Sequence, residues 1–196
     1  MTPGGWYYDY GSFVISYFGG QGFPTVVLDL KETTIENTSS ALDKAIWNIR
    51  SEYPATCGLK LSTEYDAAAN AINASAELTS STGGSYDMGM VLLLNNQIVQ
   101  GGTNEEGSYS HIVRASTGNF FMYSSESLTK VDKDGKMTFE LQIPTGNYKL
   151  SDLSVVAFAL VPDGDGARMD NIVEVKAGEQ QHQSMANRQY KNVGHQ

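Results

Sequence analysis

Ile72, Ala74, Ala76 and Leu78 alternate with Asn73, Ser75 and Glu77. Met137, Phe139, Leu141 and Ile143 alternate in the same way with Thr138, Glu140 and Gln142. A repeat of two places every apolar side chain on one face of an extended chain, so each stretch reads as a strand with one wet face. Met88 to Leu94 and Leu153 to Val161 are apolar on both faces instead, and are expected to be central strands covered on each side. Shorter strands are expected at Leu59–Glu64, His111–Ala115 and Asn171–Lys176. Turn chemistry separates these runs at Thr82-Gly83-Gly84, Asn95-Asn96, Gly101-Gly102, Asp134-Gly135, Gly146-Asn147 and Asp163-Gly164-Asp165-Gly166. About seven short strands with no helix between them predict a mainly β fold, an antiparallel β-sandwich of the Ig or jelly-roll kind over residues 55–178.

Residues 1–54 follow a different rule. Phe13–Phe18 is a short apolar run closed by Gly19-Gly20, and Thr25–Leu30 is a β-branched run that begins just after Pro24, where a strand tolerates proline. Leu42, Ala45, Ile46, Ile49 and Tyr53 then fall on one helical face. Ser39 or Ser40 is the expected cap, with Asp43 completing a capping box after Ser40, and Pro54 stops the helix. This is a strand–strand–helix segment of α/β character. The tail, residues 179–196, is polar and poor in apolar anchors, and is expected to be frayed.

Charge narrows the function classes. The net charge is -9 and no Lys or Arg cluster offsets it, so a phosphate backbone or an anionic membrane surface is repelled. No run approaches the roughly 18 apolar residues of a spanning helix. Met1–Trp6 carries neither a basic nor an apolar signal-peptide region. The single cysteine, Cys57, excludes a disulfide or a CxxC pair within the chain, and reads as an apolar filler.

Candidate sites are few. Asp163, Asp165 and Asp170 surround one glycine-rich loop, and three carboxylates there make a calcium candidate, although Asp-Gly pairs are ordinary hairpin chemistry. Asp132-Lys133-Asp134-Gly135 has its glycine too early and a lysine at a ligand position, so it reads as a hairpin turn. His111, His182 and His195 lack metal-ligand spacing. No nucleophile elbow or phosphate loop occurs, so no catalytic or cofactor-binding residue is assigned. Trp6, Tyr7, Tyr8, Tyr10, Tyr86, Tyr109 and Tyr123 lie at the N-terminus or near loops, where aromatics serve packing, sugar stacking or a protein partner.

Gly22-Phe23-Pro24-Thr25 followed by Val26-Val27-Leu28 resembles the cis-proline strand of thioredoxin folds. The resemblance implies a cis bond at Pro24. It also implies that the CxxC half lies upstream of Met1, so redox activity does not carry over to this chain. The remainder is similar to the sandwich half of the outer membrane protein 28-related family of Bacteroidetes. The stretches that carry this likeness are Ala71–Leu78, Met90–Asn96, His111-Ile112-Val113-Arg114-Ala115, Met137–Ile143, Ser154–Leu160 and Asn171–Val175. Members of that family are exported envelope proteins, commonly lipoproteins, and no lipobox cysteine occurs here. The expected role is a non-enzymatic module, outer-membrane-associated, periplasmic or surface-exposed, that meets a protein or glycan partner. The alternatives are a thioredoxin-like oxidoreductase fragment with a substrate-binding sandwich, and a carbohydrate-binding module.

Overall fold

Alternation becomes pairing register in the computed structural model, which describes residues 26–30, 32–34, 38–99, 107–117 and 127–183. The first elements are a short antiparallel hairpin, β1 (Val26–Leu28) with β2 (Glu32–Thr34). Helix α1 follows over Ser39–Glu52. Its cap is Thr38, one residue before Ser39 and two before Ser40, the expected caps: the Thr38 hydroxyl accepts from Ala41 N at 3.3 Å, satisfying one orphan donor of the first turn. Leu42, Ala45, Ile46 and Ile49 share the less exposed face, with Ile49 fully buried.

The strands that follow are β3 (Gly58–Asp66), β4 (Ala71–Ser80), β5 (Gly84–Leu94), β6 (Gln97–Val99), β7 (Gly107–Tyr109), β8 (Ile112–Ser116), β9 (Thr129–Val131), β10 (Gly135–Pro144), β11 (Leu153–Asp163), β12 (Gly166–Lys176) and β13 (Gln180–Gln183). One sheet has the order β10-β4-β3-β13, and the other β12-β11-β5-β8 with β9 beside the far end of β5. Every pairing is antiparallel. β6 and β7 form a separate hairpin.

The two sheets share one core. Leu59, Leu61, Ile72, Ala76 and Leu78 of the first meet Met90, Leu92, Leu94, Val155, Ala157 and Val175 of the second. On β4 and β10 burial alternates as the apolar pattern does, whereas β5 is buried without a break from Met88 to Leu94 and β11 from Leu153 to Leu160. The second face of β5 and β11 carries a smaller cluster of Val91, Leu93, Val156, Phe158 and Leu160. Leu30 from the N-terminal block packs against it, together with Val113, Ala167 and Met169. A strand apolar on both faces is thus explained by cover from a second layer on each side.

Two differences from the sequence reading have clear causes. β12 begins at Gly166, five residues before the expected Asn171, because its first half carries polar residues that break the apolar pattern yet pair with β11. Gln180–Gln183, in the stretch expected to fray, pairs with β3 as an edge strand. Thr63 accounts for that: its hydroxyl accepts from Gly178 N at 2.8 Å and Glu179 N at 3.2 Å, clamping the turn that leads into β13. Pro24, the expected cis-proline, and the Phe13–Phe18 run lie outside the described residues, as do residues 184–196.

Candidate functional site

The calcium candidates do not converge. Asp163 closes β11 at its hairpin with β12 and Asp165 is exposed on the same turn, while Asp170 is 1% exposed in the body of β12. Ala159 pairs with Asn171 and Leu160 with Met169, so Asp170 is the extra residue of a β-bulge. A bulge re-aims one side chain out of the strand's alternation. Here the carboxylate meets the segment that joins α1 to β3. It accepts from Thr56 N at 2.9 Å, from Thr56 Oγ1 at 3.1 Å and from Cys57 N at 3.0 Å. Arg168 Nη2 stands 3.7 Å away, and its guanidinium lies 4.9 Å from the ring centroid of Tyr53. A buried carboxylate already engaged by three N–H and O–H donors and faced by a guanidinium is poorly placed to take a cation. Among the described residues, no group of three or more His, Cys, Asp or Glu side chains is arranged to hold a metal ion.

The network extends inward. Tyr86, buried to 1% exposure, shares its hydroxyl with Thr56 Oγ1 at 3.0 Å and Ser80 Oγ at 2.9 Å. Asn171 donates to Cys57 O at 2.8 Å. Cys57 itself is fully buried in the shared core. Of this set the sequence singles out Asp170 as a calcium candidate and Tyr86 among the aromatics near loops. Thr56, Arg168 and Asn171 carry no motif, and the one available signal was three polar residues breaking an otherwise strand-like run.

A depression of about 740 Å³ lies on the outer face of the four-stranded sheet, bordered by Ser62, Glu64, Asn73, Ser75, Glu140 and Gln142. Register puts Ser62, Ser75 and Glu140 in one cross-strand row and Glu64, Asn73 and Gln142 in the next. These side chains pair with one another: Gln142 Nε2 donates to Asn73 Oδ1 at 3.0 Å, and Lys136 meets Glu77 at 3.0 Å. The face is flat, polar and without an aromatic ring on these three strands. It is built as a solvated surface and offers no stacking platform.

Partly exposed aromatics gather elsewhere. Tyr65 and Tyr148 are 36% and 37% exposed. Asn70 ties their turns together, accepting from Tyr65 Oη at 2.9 Å and donating to Gly146 O at 2.9 Å. Thr145 Oγ1 also donates to Asn70 Oδ1, at 2.8 Å. Behind Tyr148 lies the guanidinium of Arg114, 5.4 Å from the ring centroid. Arg114 is the extra residue of a second bulge, since Leu92 pairs with Ala115 and Leu93 with Val113. His111 stands apart, its Nε2 3.2 Å from Glu174 Oε2 on the surface. Of the other aromatics noted in the sequence, Tyr109 is exposed on the β6–β7 hairpin, and Trp6, Tyr7, Tyr8, Tyr10 and Tyr123 lie outside the described residues.

No helix among the described residues is long and apolar enough to cross a membrane. No family model matches the chain, and no curated protein matches it. Among solved structures it is similar to HBP35 of Porphyromonas gingivalis, a Bacteroidetes protein, with a TM-score of 0.61 and 19% identity over 84% of this chain. The chain spans about half of that protein, 55% of its length. At this identity the likeness is one of fold, and it joins the mainly β, antiparallel architecture to a Bacteroidetes neighbour.

Proposed function

We propose that the chain is a non-enzymatic binding or structural module of a Bacteroidetes cell envelope, outer-membrane-associated or periplasmic and part of a lipoprotein. In this reading it is a β-sandwich behind a thioredoxin-like segment. The fate of the buried polar side chains carries the non-enzymatic part. Asp170, Thr56, Tyr86, Ser80 and Asn171 spend their hydrogen bonds on backbone and on each other. Groups so engaged fix a fold, whereas a catalytic site needs a base aimed at an open space where a substrate atom can sit. The fold likeness to a Porphyromonas gingivalis protein supports the envelope setting. Fractionation of the source cells, with a tag on the chromosomal gene, tests it: the protein is expected with the envelope, and recovery in the cytosol overturns the reading.

A second reading, carbohydrate binding, is favoured by the Tyr65–Tyr148 end. Two partly exposed rings held by hydrogen-bonded turns lose little entropy on stacking against a pyranose ring. A glycan array probed with the intact chain and with Tyr65→Ala and Tyr148→Ala decides it. Signal that disappears in the variants supports sugar recognition there, and an array without signal sinks it. The oxidoreductase-fragment reading has less behind it, because the only thiol of the chain is sealed in the core.

A further inference from the structure

We propose that Asp170, turned inward by the β12 bulge, is the latch that fixes the N-terminal α/β block to the two-sheet core, so that the block opens as a unit when the latch is removed. The contacts between the two parts concentrate on five consecutive residues. Arg168 covers the Tyr53 ring at the C-cap of α1, and Met169 N donates to Asp29 O at 2.9 Å. Asp170 takes both backbone N–H groups of Thr56 and Cys57. Asn171 and Ile172 border a crevice of about 320 Å³ with Leu28, Ile46, Ile49 and Arg50. Asp170 takes the N–H groups of the joining segment, while Asn171, Tyr86 and Ser80 meet its carbonyl and hydroxyl oxygens, and the Asp170 side chain is wholly buried.

Two features make this a latch rather than an ordinary core contact. First, among the described residues the buried members of the shared core run from Cys57 onward, and those of the N-terminal block lie outside it. Second, apart from Ile49 the described α1 face is only partly buried. An element with little buried area and a concentrated polar anchorage is the kind that opens sub-globally. Opening lifts Leu30 away from Val91, Leu93, Val156, Phe158 and Leu160, which uncovers an apolar face of the five-stranded sheet.

Hydrogen exchange on the full chain tests the proposal, comparing the native protein with Asp170→Ala. Exchange over residues 38–57 is expected to rise by about tenfold or more, as loss of several charge-assisted hydrogen bonds requires. Residues 88–94 and 153–160 are expected to keep their protection. A rise of equal size in both regions means that Asp170 is merely a core residue, and no rise in either means that it anchors nothing; both overturn the proposal. Should Asp170→Ala fail to fold, Arg168→Ala provides the second reading. It leaves the carboxylate and its three N–H and O–H donors in place while removing the guanidinium beside it and the cover on Tyr53, and a smaller rise confined to 38–57 is expected. A uniform rise, or none, again overturns the latch.

Discussion

Asp170 and its two loop neighbours in the sequence differ in what surrounds them, and that difference sets what each substitution does. Asp163 and Asp165 stand on a hairpin turn in reach of water, so Asp163→Asn and Asp165→Asn are expected to change stability by about 0.5 kcal/mol or less, and added calcium to leave the melting temperature unmoved. Asp170→Asn places an amide that donates where three N–H and O–H groups already donate. A loss of about 2–4 kcal/mol is expected in the opening free energy of residues 38–57, read by hydrogen exchange, the range for a buried charged group stripped of its partners. A calcium-dependent rise in melting temperature, abolished by Asp163→Asn, would restore the metal-loop reading. Gly89 is governed by shape instead. A Cβ there would lie 2.3 Å from Phe158 Cζ and 2.8 Å from Thr117 Oγ1. Phe158 is itself packed between β5, β11 and the N-terminal block, so its ring cannot swing aside cheaply. Gly89→Ala is therefore expected to cost about 1–3 kcal/mol by overpacking, read as a drop in melting temperature; an unchanged value would show that the ring has room.

At the scale of elements, the five-stranded sheet treats its edges alike. β12 and β8 each contain one bulge, and each bulge buries a charged residue, Asp170 in one and Arg114 in the other. Bulges and inward-facing charges are ways to keep an edge strand from pairing with another chain. On the four-stranded sheet the β3 edge is covered by β13, and the Thr63 hydroxyl holds the connection. Thr63→Val keeps the shape and deletes the acceptor, leaving Gly178 N without its partner. A cost of about 1–2 kcal/mol is expected, with faster exchange over 180–183 than elsewhere; uniform exchange would mean that β13 is held by its ladder alone. These devices explain what was legible in the sequence and what was not. Ile72–Leu78 and Met137–Ile143 were readable because a half-buried strand writes its two faces into alternate positions. The bulges were not, since an extra residue shifts the register and leaves Arg168 and Asp170 looking like a polar loop ahead of the strand expected from Asn171. Neither was Thr63, whose role depends on a turn 113 to 116 residues away.

For the molecule as a whole, the question is which part can stand alone. Among the described residues, every member of the shared core lies at or beyond Cys57, and both sheets are built from strands between β3 and β13. The N-terminal block adds a partial cover on one face, through Leu30, and the contacts along Arg168–Ile172. A chain begun at Ala55 is therefore expected to fold and to unfold in one cooperative transition. It also loses Tyr53 from Arg168 and Leu30 from the second cluster, so its melting temperature falls. The bared Val91, Leu93, Val156, Phe158 and Leu160 give it an affinity for hydrophobic dyes that the full chain lacks. Calorimetry and dye binding on the two lengths separate the outcomes. Loss of the cooperative transition would mean that the second cluster, and not the core between the sheets, is what makes β5 and β11 stable, and the N-terminal block would then be part of the same folding unit. Retention of the transition with new dye binding would mean that the block is a cover over a self-sufficient pair of sheets, fastened along the β12 bulge.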